Sequence, residues 1–366
     1  MDEIIPRKTN KIQIAFSAID QRLVNNIPSR REVKSKTYVS YGDRNDYPNF
    51  LFDTYCACPS LSTIVNGLAD YVVGDGVSST MPEPNPGMTW DEFINHLAAD
   101  YLLYGVCYFE VIEGKNNTPR QLYWLDTLYV RCDEDSETFY YNEKFGSSYV
   151  KASDTITFPR FKIGFSQPSS VVMIKTPLGK GTYGSPLWLS GLKAVMTEVA
   201  IDDFHLNEID NNFTASAIIN FNNGTPNDEE KAEIEKLIRK KFTGHENGGR
   251  FMMSFNNGKD NATTVERLST DDFDERYNAL AEKTQKQIFT AFGVSPVIFG
   301  ILRDNTGFSD QDFMQSYKLA NKTKIQPIQK RLIDSIERVI GKGTMTIYPF
   351  TIDWEENENN NTEIIS

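Results

Sequence analysis

Apolar positions in this chain change their spacing several times, and each change marks an element. Leu61, Ile64, Val65, Leu68 and Val72 fall on one face of a helix, in a stretch that turns helical from Tyr47. Gly74 stands where that helix should stop on a left-handed residue. Thr89 and Glu92 have the spacing of a capping box. Phe93, Leu97 and Tyr101 continue from it as a second helix, ended by Gly105. Beyond that point residues 106–112, 121–131, 140–141 and 171–175 read as strands. The front half is therefore mixed α and β.

The second half is dominated by long helices. Ser185 followed by Pro186 is a capping serine with proline in the first turn, and predicts a helix to about Asn212. At about 1.5 Å per residue it would run roughly 40 Å, which calls for a partner along its length. Residues 213–268 form a compact insert. In it Ala217–Phe221 is a strand, Asn222-Asn223-Gly224 a turn, and Thr225-Pro226 the start of a helix. Asp228, Glu229 and Glu230 open that helix and Arg239, Lys240 and Lys241 close it, as the helix dipole favours. Ile234, Leu237, Ile238 and Phe242 supply its apolar face, and residues 250–255 a second strand.

Phe273, Tyr277, Leu280, Thr284, Ile288 and Ala291 then mark a second long helix, 271–292, the natural partner of the first. Val294-Ser295-Pro296 ends it. A polar loop precedes a third helix, 310–340, which Pro327 should break or kink. Residues 344–350 close as a strand, and the tail beyond Asp353 is rich in Asn and Glu.

Charge argues against a tight grip on nucleic acid. The 366 residues carry 38 Lys and Arg against 50 Asp and Glu, a net charge of −12, whereas proteins that neutralise phosphates are usually basic. An acidic surface still suits DNA as a passing object. The first 36 residues are the exception: eight basic residues, including Arg7, Lys8, Lys11 and Arg22, face four acids. This arm reads as peripheral, with a phosphate or partner contact as the alternative. No apolar core of a secretory signal opens the chain and no apolar run is long enough to span a membrane. Cys56, Cys58, Cys107 and Cys132 are expected to remain thiols.

Candidate chemistry is sparse. Gly179-Lys180-Gly181-Thr182 lacks the glycine spacing of a phosphate-binding loop. Cys56 and Cys58 have the wrong spacing for a zinc pair, and His96, His205 and His245 are scattered. The acids Asp271, Asp272, Asp274 and Glu275 would suit a metal-dependent nuclease, but acids also gather at helix starts for dipole reasons. No catalytic residue, metal ligand or cofactor is expected.

Taken in order along the chain, several short segments resemble the portal proteins of tailed bacteriophages. They are Asn45-Asp46-Tyr47-Pro48, residues 60–70 leading into Val73-Gly74-Asp75-Gly76, and Tyr104-Gly105-Val106-Cys107-Tyr108. Further on come Gly181-Thr182-Tyr183-Gly184-Ser185-Pro186-Leu187, Phe242-Thr243-Gly244 with Asn247-Gly248-Gly249-Arg250, and residues 289–300. The resemblance implies an α+β portal-type subunit. A basic arm (1–39) would precede a mixed α/β wing (40–185), a first stem helix (186–212), a small α/β clip module (213–268) and a second stem helix (269–292). A tunnel-loop region (293–312), a wing return helix and strand (313–350) and an acidic polar tail (351–366) would follow. With so little chain after Phe350 the crown is absent or minimal.

By the same resemblance the tunnel loop is Arg303, Asp304, Asn305, Thr306, Gly307 and Phe308, whose single basic residue argues against a strong phosphate grip. The clip would dock partners through Ile234, Leu237, Ile238, Lys241, Phe242 and Arg250, and the stem would pack through Leu192, Val195, Val199, Tyr277, Leu280 and Ile288. The implied role is a ring, dodecameric in similar proteins, at one capsid vertex of the virion, assembled in the host cytoplasm. Double-stranded DNA would pass through it without sequence reading during packaging and ejection. Large terminase, head-tail adaptor proteins and the major capsid protein are the implied partners, with no membrane. A different oligomeric head-tail adaptor is the alternative, with a metal-dependent nuclease behind it.

Overall fold

The computed structural model describes residues 28–35, 37–114, 120–146, 150, 152–164, 167–177, 181–210, 217–221, 229–230, 233, 251–255, 264–267, 273–301 and 310–351. Two compact units emerge, one built on Pro28–Val195 and Glu282–Ser366, the other on Met196–Ala281.

In the larger unit three helices make the floor. α1 (Tyr47–Ala57) and α2 (Pro59–Val73) are separate because Pro59 has no N–H to continue the ladder. All five residues of the predicted α2 stripe are buried, Leu61, Ile64 and Val72 completely. α3 (Trp90–Tyr104) has its capping box: Glu92 N–H donates to Thr89 Oγ1 at 3.2 Å and Thr89 N–H donates to Glu92 Oε2 at 2.8 Å. Gly105 ends it in the left-handed region.

Against α3 lies the sheet β3-β2-β7, made of β2 (Val106–Ile112), β3 (Gln121–Leu125) and β7 (Ser169–Lys175), all antiparallel. A second antiparallel sheet joins β4 (Val130–Cys132), β5 (Thr138–Tyr141) and β6 (Ile156–Pro159). The expected single strand 121–131 is therefore two. Asp126 interrupts it by accepting the Leu128 N–H at 2.9 Å and capping a short 3-10 turn, Thr127–Tyr129. β6 was not foreseen; only Phe158 in it is half-buried, the rest being exposed. β1 (Gly76–Ser79) pairs antiparallel with β11 (Met345–Tyr348) and ties the C-terminal return to the front of the chain.

The first long helix starts later than predicted. α4 is Leu192–Asp210, preceded by a 3-10 turn at Leu189–Gly191. Ser185 does not cap it. Its backbone is taken by Thr176, whose Oγ1 accepts the Ser185 N–H at 3.0 Å and donates to Ser185 O at 2.9 Å. α5 (Phe273–Phe292) matches its expectation over the described residues, and Val294-Ser295-Pro296 turns the chain into a 3-10 turn, Pro296–Phe299. The third helix is not broken at Pro327. α6 (Asp310–Ala320) runs through a π turn, Asn321–Ile325, into α7 (Gln326–Ile340). The proline sits in the first turn of α7, and the π turn just before it widens the ladder there, with Gln326 N–H reaching Asn321 O. Ile328, Leu332, Ile336 and Val339 bury one face of α7. It packs on α2, α3 and β7.

In the smaller unit β8 (Ala217–Phe221) lies between β9 (Phe251–Phe255) and β10 (Thr264–Arg267), parallel to the first and antiparallel to the second. The third strand was not foreseen. Residues 229, 230 and 233 are helical; the rest of the predicted clip helix lies outside the described residues. No helix among the described residues is long and apolar enough to cross a membrane. None of the four cysteines is in a disulfide; Cys56 is exposed and the others are buried.

Candidate functional site

Three groups of residues carried the sequence expectation, and the structure places them unequally. The loop residues Arg303, Asp304, Asn305, Thr306, Gly307 and Phe308 lie outside the described residues, as do Ile234, Leu237, Ile238, Lys241, Phe242 and Arg250. Of the stem set, Val195 and Ile288 are fully buried and Val199 is 5% exposed. Leu192 and Tyr277 are half-buried. Leu280, expected on the packed face, is 40% exposed. In the larger unit the helices are bridged by Trp188, stacked on Phe292 at 6.4 Å. In the smaller unit Phe204 of α4 stacks on Tyr277 of α5 at 4.6 Å.

The base from which the 302–309 segment departs is well described. Its entry is the turn Pro296–Phe299 with Gly300 in the left-handed region, and its exit is α6. Tyr71 of α2 holds both. Its hydroxyl donates to Ile298 O, and its ring meets Phe299 at 6.2 Å, Tyr317 of α6 at 5.5 Å and Phe350 at 5.0 Å. Phe289 backs Phe299 at 5.6 Å, and Tyr317 Oη donates to Phe350 O at 3.2 Å. Burial, then the neighbouring Tyr317 and Asp70, push the Tyr71 phenol up to about 12, so it donates its proton and stays neutral. A groove of about 440 Å³ runs beside this cluster, between α2, the Pro296–Phe299 turn and Phe350.

The Val73-Gly74-Asp75-Gly76 segment explains itself here. Gly74 has φ +68°, and a Cβ on it would stand 2.1 Å from Tyr348 O. The β11 return can cross at that distance only because there is no side chain. Asp75 then fixes the end of the return by accepting from the Thr351 N–H and hydroxyl. Tyr71, Phe299, Tyr317, Phe350 and Asp75 were not picked out as a cluster from the sequence. The contacts of Tyr71 and Asp75 join positions more than two hundred residues apart, and no local period connects them.

The other short segments also meet. Gly184 lies so close to Gly105 that a Cβ on it would be 1.9 Å from Gly105 O. Tyr183 is buried between them and the front of the chain, stacked on Tyr41 at 4.2 Å, and its hydroxyl accepts the Cys132 N–H at 3.1 Å. Glu32 accepts the Thr182 and Tyr183 N–H groups at 2.8 and 3.2 Å. Asn45 has φ +61° and turns the chain into α1. Its Oδ1 and carbonyl accept from the fully buried Arg131 at 2.6 and 3.0 Å. Arg131 also donates to Leu128 O and Val130 O, and lies 4.9 Å from the Phe145 ring centroid. A sequence reading had no reason to bury this cation.

No group of three His, Cys, Asp or Glu among the described residues is arranged to hold a metal ion. The Tyr71 cluster fixes both ends of the 302–309 segment to α2 and Phe350.

That fold is one seen in proteins of particle necks. The chain is similar to a protein in the virion of a native gene transfer agent particle, with 17% identity, 91% of this chain and 89% of that one covered, and a TM-score of 0.58. It is similar to a chain in the neck of the native gene transfer agent particle computed with C12 symmetry, with 18% identity, 88% and 86% covered, and a TM-score of 0.57. An HK97-family phage portal protein from Corynebacterium diphtheriae matches at 11% identity, 81% and 94% covered, with a TM-score of 0.50. No curated protein sequence matches the chain. The family model described as phage portal protein matches residues 71–361. The chain belongs to the phage portal protein family.

Proposed function

We propose that this chain is the subunit of a homo-oligomeric ring, twelve-fold when built into a capsid, that forms the DNA channel at one vertex of a virion. Its part is structural rather than catalytic. The observation that carries the reading is the family match over residues 71–361, which takes in both long helices and the module between them. The ring number is supported by the C12 symmetry of a particle neck whose chain shares this fold.

Within that reading, α4 and α5 are the stem, residues 213–268 the clip that docks large terminase during filling and head-tail adaptor proteins afterwards, and residues 303–308 the loop facing DNA. The wing would meet the major capsid protein. Leu206 and Leu280, 59% and 40% exposed on the long helices, would be covered by neighbouring copies in a cyclic head-to-tail interface. The net charge of −12 supports a lumen in which DNA slides without being held.

Electron microscopy and native mass measurement of the purified chain test the ring. Closed rings of about a dozen copies with a central channel are expected. A monomer at every concentration, also in the presence of capsid and scaffold components, would overturn it. Deleting residues 304–308 should leave rings intact and impair packaging or retention of DNA. Normal filling by the deleted form would show that the loop is misassigned.

A further inference from the structure

The outer face of the α6–α7 helix is basic in an acidic chain. From Lys318 to Arg331 it carries five Lys and Arg residues and no Asp or Glu. Tyr317, Ile325, Ile328 and Leu332 are buried. That turns Lys318, Lys322, Lys330 and Arg331 to the opposite side, where all four are exposed. Lys330 pairs with Asp334 at 3.3 Å. Among the described residues Lys318, Lys322 and Arg331 take part in no ion pair. Lys34, Lys144 and Lys162, by contrast, are paired with Glu134, Asp154 and Glu137. Leu319, 66% exposed, stands beside Lys318 on the same face. The C-terminal return leaves the unit next to this helix. Tyr317 Oη donates to Phe350 O at 3.2 Å, and Asp75 accepts from the Thr351 N–H and hydroxyl. Residues 352–366 set out from there. They contain Asp353, Glu355, Glu356, Glu358 and Glu363, no Lys or Arg, and one aromatic residue, Trp354.

We propose that the acidic segment 352–366 docks on the basic face of α6–α7 in its own chain, with Trp354 on Leu319 and the flanking acids against Lys318, Lys322 and Arg331. The lengths agree. An extended chain from Thr351 to Trp354 covers about 10 Å, and the helix rises about 8 Å from Tyr317 to Lys322. The charges agree as well. In a chain of net charge −12 a segment with five acids is repelled by most of the surface, and this face attracts it. One exposed ion pair contributes little. Here several acids meet several cations, and an indole covers an exposed leucine. Docked there, the segment neutralises a face that would otherwise attract a phosphate polymer such as DNA.

Trp354 fluorescence in the full chain tests this, taken as the difference from Trp354→Phe so that Trp90, Trp124 and Trp188 cancel. At low salt Trp354 should be shielded from acrylamide. Its quenching constant should rise about twofold or more between about 0.05 and about 0.5 M NaCl, as screening releases the segment. Lys318→Glu with Lys322→Glu should show the high value already at low salt. So should Asp353→Asn with Glu355→Gln and Glu356→Gln, which leaves the described fold untouched and decides if the lysine variant does not fold. Quenching of Trp354 that is the same in wild type and both variants overturns the docking, whether the indole is shielded or open. Mixing the lysine variant with Trp354→Phe chains supplies intact faces on other copies. Shielding regained on mixing would seat the segment on a second copy and overturn the assignment to its own chain. Wild-type binding of a labelled DNA duplex at low salt, lost in the lysine variant, would show the face open to phosphate and overturn the docking.

Discussion

At the scale of single residues, two positions tolerate no ordinary substitute. Gly105 has φ +76°, and a Cβ there would lie 2.2 Å from Ser185 C. The obstacle is backbone, which cannot swing aside. Gly105→Ala should therefore cost more than about 2 kcal/mol in chemical denaturation, through both strain and displacement of the 181–186 turn. Arg131 is the second case. Its fork supplies donors to Asn45, Leu128 and Val130 at once. Arg131→Lys keeps the charge and loses the fork, leaving buried carbonyls without donors. A loss of about 2 kcal/mol or more is expected, read as a lower denaturation midpoint with an unchanged slope.

At the scale of elements, α3 depends on its cap. Thr89→Ala removes the acceptor for the Glu92 N–H, and should cost about 1 kcal/mol in the same measurement. The base of the 302–309 segment offers a second test. Tyr71→Phe keeps the ring contacts with Phe299, Tyr317 and Phe350 and deletes only the bond to Ile298 O. Stability should fall by about 1 kcal/mol, and backbone amides at 296–301 should exchange hydrogen faster, while ring formation is kept. The π turn at Asn321–Ile325 shows how an element absorbs a residue that breaks a simple rule. Pro327 predicted a break or a kink, and α6 and α7 stay joined because the widened turn precedes the proline.

At the scale of the whole molecule, the protomer leaves apolar residues on its long helices uncovered. Leu280→Asp should leave the protomer folded by circular dichroism and reduce the ring population by native mass measurement, because the 40% exposed side chain contributes little within one chain. Assembly equal to wild type would remove this helix face from the interface. Elements with a regular period were legible in advance: the α2 stripe, the α3 cap, β2 and α5 stand where the apolar spacing put them. Signals that tertiary contacts outbid were misread. Ser185 looks like a helix cap, but Thr176 occupies its backbone. Leu280 fits a helical stripe, but a stripe does not say whether a neighbour from the same chain lies against it.

Local order along the chain, and with it the family, followed from the sequence by itself, because caps, turns and helix faces are encoded within a few residues. Only the tertiary structure decided which distant segments meet. Gly74 under the β11 return and Tyr71 at the base of the 302–309 segment acquire their roles from contacts across long stretches of chain. Burial and close approach are properties of the folded chain, and no window of neighbouring residues contains them.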